Sequence, residues 1–349
     1  MRAIVIHRPG PASSLAVEDV AMPSLRARDV LIRVDTCGVC FHDVVIRNGT
    51  MSRGVGWPLI PGHEVAGIVE AVGPQAVEFK KGDRVASVQS RHVCGTCRFC
   101  RTDRQGFCHD REVLGDAGLN GGYAEFVAIE EDNLTHVPAS VSLEQAAIVG
   151  CVVGTELNAI RDVAKVQLGE RVLVTGAGGG VGIHGVQVAR GAGAEVIAVT
   201  TSPEKVDDLY AVGAHHVVCH EKGSDFSAGV LSVAPGGVDV AIDNVGSVAF
   251  NATRKSMAMG GRWILVGQLN GDFIRFNPAQ LFHKGISLLS ARSTTRRQLA
   301  DSLELVRRGQ VKPIISKRLP LEAAAQAHAM LESGKVTGRI VLKLKGGEC

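Results

Sequence analysis

Hydrophobic and polar positions follow two different patterns along the chain, and the change falls between residues 150 and 160. The earlier part contains short runs in which apolar residues alternate with polar ones: LIRVDTCGV, HEVAGIVEAVG, KGDRVASVQ and GGYAEFVAI. Glycine, proline and aspartate separate these runs, and this combination is typical of short β-strands joined by tight turns. The pattern therefore predicts a compact, β-rich first domain.

Beyond about residue 170 the strands become continuously apolar and alternate with helices. RVLVTGA predicts a buried strand, GGVGIHGVQVARGAGA a glycine-rich turn into a helix, EVIAVTT the next strand, and SPEKVDDLYAVGA a helix with a serine N-cap. Four further apolar runs follow: HHVVCH, VDVAIDNVG, GRWILVG and ISLLSAR. Strands that are apolar on both faces are typical of a parallel sheet covered by helices on both sides. The second part is therefore predicted to be a doubly wound α/β sheet.

After about residue 291 the pattern predicts an amphipathic helix, a strand, a second helix and a last strand: TRRQLADSLELVRRGQ, PIISKRLP, LEAAAQAHAMLESG and GRIVLKL. Since six strands already complete the parallel sheet, this tail is assigned to the first domain. The predicted domains are residues 1–152 with 291–349, and residues 153–290.

Composition and charge exclude several classes of protein. The 349 residues include 38 basic and 35 acidic ones, a net charge of +3, and no basic stripe with interleaved aromatic residues. This balance argues against a nucleic-acid or anionic-membrane partner. We find no apolar run close to the roughly 18 residues that a membrane span needs. The N-terminal sequence MRAIVIHRPG predicts a short strand rather than a signal peptide. We therefore expect a cytoplasmic protein.

Cysteines are the informative part of the composition. Nine cysteines in a reducing compartment are better explained as metal ligands or reactive thiols than as disulfides. Four thiolates at short spacing, in a lobe at about residues 91–110, predict a closed tetrahedral zinc site that stabilises the fold; they are Cys94, Cys97, Cys100 and Cys108. An iron–sulfur cluster uses the same ligands, but its electron-transfer context is absent. Cys37, Cys219 and Cys349 receive no role.

The glycine-rich turn TGAGGGVG predicts a site for a dinucleotide. It stands between a buried strand and a helix, where the helix N-terminal amides face a pyrophosphate. The strict spacing ends at Gly182 and falls on Ala177 and Gly179, with Gly178 beside them. The predicted pyrophosphate-binding residues are Gly176, Gly179, Gly180, Val181 and Gly182.

The end of the second strand of this sheet decides between NAD(H) and NADP(H). An acidic residue there binds the ribose hydroxyls of NAD, whereas hydroxyls and cations accommodate the additional phosphate of NADP. Here the strand ends in Thr200, Thr201 and Ser202, with Lys205 one turn later. We therefore favour NADP(H). The alternative is that Thr201 and Ser202 only cap the next helix.

A second set of possible metal ligands is dispersed along the chain. Cys40 lies in CGVCFHD, His63 and Glu64 lie in PGHEVAG, and Cys151 lies in AAIVGCVVGTELNAI. Two thiolates and an imidazole that leave a fourth position open would form a catalytic zinc site. Each residue alone is more often a buried thiol or a core histidine, and the order of these residues in the sequence does not show that they converge.

Taken together, the motifs are similar to those of the zinc-dependent medium-chain dehydrogenases/reductases, the alcohol dehydrogenase superfamily. CGVCFHD, IPGHEVAGIVEAVG, KGDRV, the four-cysteine loop, GGYAEF and VLVTGAGGGVG occur in that family's order over essentially the whole chain. The resemblance implies a GroES-like catalytic domain, a Rossmann domain and a homodimer or homotetramer. It also implies a catalytic zinc on Cys40, His63 and Cys151, with Glu64 as a neighbouring or alternate ligand and Asp43 as the acid that orients the ligands. Thr155 and Asp243 are implied to lie near the nicotinamide.

The chain departs from the family's pattern at His42. Alcohol dehydrogenases of the family commonly carry Ser or Thr there, whose hydroxyl passes the alcohol proton toward solvent, and histidine can itself exchange a proton near neutral pH. The resemblance implies an NADP(H)-linked alcohol dehydrogenase or carbonyl reductase, in which zinc polarises the oxygen of a small-molecule substrate and hydride passes to or from the nicotinamide. Members without the hydroxyl resemble reductases of unsaturated acyl thioesters, so an enoyl reductase is the alternative. A non-catalytic nucleotide-binding protein is disfavoured, because every expected zinc ligand is present.

Overall fold

The computed structural model describes residues 1–51 and 54–344, and Cys349 lies outside the described residues. The chain divides into two compact units. The first consists of residues 1–154, 293–309 and 315 onward, and the second of residues 155–292 and 310–314. The second unit begins and ends within two residues of the predicted range 153–290. The short segment 310–314, which the sequence pattern assigned to the first domain, belongs to the second unit.

Within the described residues the structure has seventeen strands and ten α-helices. The strands are β1 (Arg2–Val5), β2 (Ala16–Asp19), β3 (Asp29–Val39), β4 (Glu64–Val72), β5 (Arg84–Ser87), β6 (Ser90–His92), β7 (Glu112–Val113), β8 (Phe126–Glu130), β9 (Leu134–His136), β10 (Arg171–Val174), β11 (Glu195–Thr200), β12 (His216–Cys219), β13 (Val238–Asp243), β14 (Met257–Leu265), β15 (Ser287–Ser290), β16 (Ile315–Pro320) and β17 (Arg339–Lys343). The helices are α1 (Phe41–Arg47), α2 (Leu143–Val152), α3 (Gly154–Leu157), α4 (Gly182–Gly191), α5 (Val206–Ala211), α6 (Ser227–Val233), α7 (Phe250–Ser256), α8 (Ala279–Phe282), α9 (Arg296–Arg307) and α10 (Ala324–Glu332).

The first unit is built on a sheet with the strand order β16–β17–β3–β4–β5–β9, to which β8 adds by pairing with β3. The long central strand β3 is almost wholly buried, and its Val30, Ile32 and Val34 belong to the core of this unit. β3 and β4 are antiparallel, with Gly38 opposite Glu64. The end of β3 and the start of β4 therefore lie side by side, which brings two distant segments of the sequence together.

The second unit contains a six-stranded parallel sheet with the order β12–β11–β10–β13–β14–β15. This is the order of a Rossmann fold, and it confirms the predicted fold class. Val172, Leu173 and Val174 of the central strand β10 are completely buried, as continuously apolar strands should be. The strand order reverses between β10 and β13, and in such sheets ligands bind at the carboxyl ends of the strands beside that point.

One helical stretch, Leu143–Val163, is long and apolar enough to cross a membrane by length and composition, with a mean hydropathy of 1.2. Of the residues in its most apolar segment, 72% are buried inside the protein. The sequence pattern predicted no stretch of this length, because Glu144 and Glu156 interrupt the apolar run. A buried core helix passes the same test, so this stretch is weak evidence for a membrane span.

Candidate metal centres and cofactor loop

The structure brings the dispersed set of candidate ligands together. One ligand atom each of Cys40, His63, Glu64 and Cys151 lies within 4.8 Å of the others, and all four residues are buried. The sheet register explains three of them, since Cys40 follows the end of β3 while His63 and Glu64 lie at the start of β4. Cys151 comes from the buried face of α2. The arrangement supplies two sulfur donors, one nitrogen donor and one carboxylate.

Asp43 holds the first turn of α1 and the imidazole of His63 in place. Its Oδ2 accepts a hydrogen bond from the backbone N–H of Cys40 at 2.9 Å, and its Oδ1 lies 3.1 Å from Nδ1 of His63. Burial raises the pKa of Asp43, but the charge and hydrogen bond of His63 outweigh it and hold this pKa below its usual value. A hydrogen bond at Nδ1 directs Nε2 as the free ligand atom, which is how carboxylates orient metal-bound histidines.

Arg339 is a member of this cluster that sequence reasoning missed. Its Nη2 lies 2.5 Å from Oε1 of Glu64, 3.2 Å from Sγ of Cys151 and 3.5 Å from Sγ of Cys40. Burial raises the pKa of Glu64 to about 7, and the charge of Arg339 opposes that shift. Arg339 begins β17, where Ile340 is opposite Val39 of β3. The signal in the sequence that could have indicated the role of Arg339 is its position directly before the apolar run Ile340–Leu342.

The charges of the cluster fit a divalent cation. In the deprotonated form that binds a metal, the two thiolates and the Glu64 carboxylate would carry three negative charges against the one positive charge of Arg339, and all four side chains are buried. Buried charges need partners, and a divalent ion would neutralise the remaining two. Zinc binds cysteine, histidine and carboxylate ligands of this kind. The donor set therefore fits zinc.

The four predicted thiols of the cysteine lobe also meet. Sγ of Cys94 lies 3.9 Å from that of Cys100 and 3.5 Å from that of Cys108. Four thiolates at about 2.3 Å around zinc lie about 3.8 Å apart, whereas a disulfide needs about 2.05 Å. The backbone N–H of Cys97 donates to Sγ of Cys94, and this bond together with hydrogen bonds from Thr96 lowers the pKa of the Cys94 thiol to about 6. These distances and donors fit a tetrahedral zinc site with no open position.

The glycine turn of the second unit joins β10 to α4. Gly176 has a φ of +60°, a conformation that favours glycine, and a Cβ on Gly182 would lie 2.4 Å from the carbonyl oxygen of Gly176. A Cβ on Gly179 would lie 3.2 Å from the same oxygen. Gly180 and Val181 complete the turn, and Nδ1 of His184 donates to the carbonyl of Gly180 at 2.7 Å. The turn therefore requires glycine for its own backbone and leaves the N-terminus of α4 at the carboxyl edge of the sheet.

Residues at the end of β11 pack against this turn. Thr200 is buried, and its Oγ1 accepts a hydrogen bond from the backbone N–H of Ser202 at 3.1 Å. Lys205 is only 4% exposed, and a Cβ on Gly178 would lie 2.6 Å from its Cδ, so its aliphatic chain lies against the glycine turn. Thr201 is exposed. Ser202 occupies the N-cap position of the turn Pro203–Lys205, and within the described residues its side chain makes no capping hydrogen bond.

Asp243 ties together the carboxyl ends of three neighbouring strands. Its Oδ1 accepts hydrogen bonds from Oγ1 of Thr175 at 2.8 Å and from the backbone N–H of Gly246 at 3.0 Å, and its Oδ2 accepts one from Nε1 of Trp263 at 3.1 Å. Burial raises its pKa. The observed role of this carboxyl group is thus to brace β10, β13 and β14. Thr155, the other residue implied to lie near the nicotinamide, is 9% exposed and belongs to α3.

The carboxyl group of Glu156 is completely buried in the second unit, beside α4. Nδ2 of Asn244 donates to Oε1 of Glu156 at 2.9 Å, while Oε2 of Glu156 and Oδ1 of Asn244 have no hydrogen-bond partner among the described residues. A Cβ on Gly185 would lie 2.6 Å from Oε1, so α4 carries glycine where it passes this group. Burial raises the pKa of Glu156 to about 8. The carboxyl group is therefore protonated at neutral pH.

We expect Glu156→Gln to gain stability relative to the wild type as the pH rises. The pKa of this carboxyl group is 4.5 in the unfolded chain and about 8 in the folded protein. The stability that the protonated group contributes is therefore fully present below pH 4.5 and is lost as the pH rises through about 8. The advantage of the variant should therefore grow by about 1.4 kcal/mol per pH unit between pH 5 and pH 8. Thermal unfolding at those two pH values measures it. Exposed Glu221→Gln is the control, and parallel curves for Glu156→Gln and wild type would contradict the prediction.

Three features occur in one chain: a glycine turn at the carboxyl edge of a Rossmann sheet, a buried cluster of sulfur, nitrogen and carboxylate donors, and a four-thiol lobe. Together they define an oxidoreductase of the zinc-dependent dehydrogenase class.

Comparison with known proteins supports this class along nearly the whole chain. Residues 26–139 match the alcohol dehydrogenase GroES-like domain family, and residues 212–342 match the zinc-binding dehydrogenase family. An acryloyl-coenzyme A reductase of Sulfurisphaera tokodaii is 34% identical over 98% of this chain and 100% of its own length. An alcohol dehydrogenase of Geobacillus stearothermophilus is 32% identical over 95% and 96%. The crystal structure of AibC is 43% identical, with a TM-score of 0.91 over 99% of this chain and 96% of that one.

The chain therefore belongs to the medium-chain dehydrogenase/reductase family, as the sequence motifs predicted, and it is an oxidoreductase. Its catalytic domain is GroES-like and its nucleotide-binding domain is a Rossmann sheet.

Proposed function

We propose that this protein is a zinc-dependent, NADPH-linked reductase of α,β-unsaturated carbonyl compounds, including acyl thioesters. The observation that carries the proposal is His42, an imidazole where alcohol dehydrogenases of the family commonly have a hydroxyl. Its ring centroid lies 5.2 Å from that of His63, in an edge-to-face arrangement. The acryloyl-coenzyme A reductase that matches this chain end to end supports the same substrate class.

In this proposal the side chains of the first unit would bind the metal and donate one proton to the substrate. Cys40, His63 and Cys151 would hold the zinc, with Glu64 beside them as a further donor. The bound groups supply Lewis acidity toward a carbonyl oxygen and a hydride from the nicotinamide. Reduction of a conjugated double bond also consumes one proton at the α carbon, and in this proposal the imidazole of His42 is the general acid that donates it.

The product of the reaction tests this proposal. NADPH oxidation is followed with crotonyl-CoA, with an unsaturated ketone and with a simple aldehyde, and the products are identified by mass spectrometry. We expect the saturated thioester or ketone. An unsaturated alcohol as the sole product would instead show reduction at the carbonyl carbon and would exclude enoyl reduction.

Alcohol dehydrogenation or carbonyl reduction is the second candidate function. The complete zinc donor set of Cys40, His63, Glu64 and Cys151 favours it, because Lewis acidity at an alcohol oxygen is what that chemistry needs. The match to an alcohol dehydrogenase over 95% of the chain also supports it. Oxidation of primary or secondary alcohols with NADP⁺, without any reduction of crotonyl-CoA, would establish this candidate.

The preference for NADPH over NADH rests on Lys205 and the hydroxyls before it. We expect Lys205→Ala to raise KM for NADPH about tenfold, since a charged hydrogen bond to a phosphate contributes about 1.5 kcal/mol or more. KM for NADH should change by less than about threefold, because NADH lacks that phosphate. Steady-state kinetics with both cofactors measures the two effects, and exposed Lys222→Ala is the control. Equal effects on both cofactors, or a wild-type preference for NADH, would contradict the assignment.

We infer further that the enzyme is cytoplasmic and forms a homodimer or homotetramer. Within the described residues β15 is the last strand of the parallel sheet, and several large apolar side chains of the same unit are exposed, among them Phe273, Phe282 and Met259. An unpaired edge strand with exposed apolar neighbours is a suitable surface for a second copy of the chain. Light scattering of the purified protein measures the oligomeric state.

A further inference from the structure

The side chain of His42 faces a carboxylate from a distant loop. Nε2 of His42 lies 3.5 Å from Oδ2 of Asp116, and the two side chains are 29% and 20% exposed. Nε2 is itself buried, with no hydrogen bond of regular geometry to another described residue. Among the described residues, Asp116 thus supplies the carboxylate that faces this ring nitrogen.

The loop that carries Asp116 is firmly held against the segment that carries His63. Gly115 has a φ of +67°, and a Cβ there would lie 2.6 Å from the backbone nitrogen of Gly62. The backbone N–H of Gly122 donates to the carbonyl of Gly62 at 2.8 Å, and that of Gly121 donates to the carbonyl of Ile60 at 2.7 Å. The position of Asp116 relative to the metal ligand His63 is therefore set by backbone contacts.

The two carboxylate oxygens of Asp116 have different partners. Oδ1 accepts a hydrogen bond from the backbone N–H of Ala117 at 2.6 Å, within the turn that is closed by the backbone N–H of Leu119 donating to the carbonyl of Asp116 at 2.9 Å. Oδ2 is the oxygen that faces His42. The turn thus orients the carboxylate so that one oxygen is available to the imidazole.

We propose that Asp116 is the positioning residue of His42: its Oδ2 accepts the Nε2 proton and holds the imidazole in one orientation and one tautomer beside the metal site. This assigns Nδ1 as the ring nitrogen that exchanges a proton with substrate. The inference rests on the proposed function, in which His42 donates one proton to the α carbon while hydride adds to the β carbon. His42 gives up the Nδ1 proton of its imidazolium form, is left as the neutral Nε2–H tautomer, and regains one proton from solvent, so each turnover consumes one NADPH and one proton.

Asp116→Asn is the sharpest test, because it keeps the shape of the side chain. The Asn Oδ1 can still accept from Ala117, which leaves the amide Nδ2, a donor, facing Nε2 of His42. An aspartate that orients a catalytic histidine fixes its tautomer, and an amide in its place stabilises the wrong one. We expect kcat to fall about 10- to 100-fold, with KM changed by less than about threefold. A purely structural role predicts almost no effect of so conservative a change.

A double-mutant cycle shows whether Asp116 acts through His42. If it does, Asp116→Asn should lower kcat in the wild type and have no further effect in the His42→Ala background. Asp19→Asn, an exposed aspartate in the same unit, is the matched control and should leave kcat unchanged. An equal loss in both backgrounds would overturn the positioning role.

A readout without activity separates this inference from the proposed function. NMR of the zinc-loaded protein labelled with ¹⁵N-histidine, with His42 assigned from His42→Gln, reports the tautomer directly. We expect the Nε2–H form in the wild type and the Nδ1–H form in Asp116→Asn. The same tautomer in both would overturn the inference whatever reaction is found. A change of tautomer in an enzyme that reduces neither substrate class would uphold the Asp116–His42 pair and reject the proposed function.

Discussion

Cys40→Ser should lose one of two zinc ions per chain and at least about a thousandfold in kcat. Cys40 is one of the two cysteines in the buried donor cluster. A hydrogen bond from the thiol of Cys151, together with the charges of Arg339 and His63, lowers the pKa of Cys40 well below the usual thiol value. A serine hydroxyl is a poor zinc ligand. Lewis acidity contributes several kcal/mol to a transition state, which corresponds to about a thousandfold in rate.

Metal analysis by mass spectrometry and steady-state kinetics measure this prediction together. Cys219→Ser is the matched control, because Cys219 is an exposed thiol at the end of β12. The control should keep both zinc ions and full activity. Two zinc ions and undiminished turnover in Cys40→Ser would refute the catalytic role of the cluster.

Cys97→Ser should lose the other zinc ion and destabilise the protein. The four thiols are clustered in a lobe that contains two short 3₁₀ turns, so a bound metal would supply much of its folding energy. Structural zinc in small domains contributes about 10–16 kcal/mol of apparent binding energy, which is comparable to the whole stability of a domain. We expect the unfolding temperature to fall by about 10 °C or more.

Thermal unfolding, zinc content and limited proteolysis distinguish this effect from loss of the catalytic site. One zinc ion should remain, and new cleavage sites should lie between residues 91 and 111. Cys219→Ser serves again as the control. An unchanged unfolding temperature, with two zinc ions retained, would mean that the lobe does not depend on a metal.

Local features of the site could be predicted because their members are close in sequence. The four thiols from Cys94 to Cys108 need only a short loop to meet, and the turn from Gly176 to Gly182 is specified by residues that must be glycine for steric reasons. The alternation of apolar strands and helices likewise predicted the parallel sheet, since burial on both faces requires continuously apolar strands. The apolar stretch Leu143–Val163 was missed because charged residues obscure its length.

The two domain types, the four-thiol lobe and the glycine turn could be derived from the order of residues along the chain, because each depends on neighbouring residues or on a short period. Which distant side chains meet depends instead on how the strands pair. Gly38 lies opposite Glu64, and Ile340 lies opposite Val39. These two registers bring Cys40, His63 and Arg339 to one point, and a separate loop places Asp116 beside His42. The cost of closing a loop rises only slowly with its length, and register is chosen by the packing of whole strands. No local pattern therefore marks such pairs.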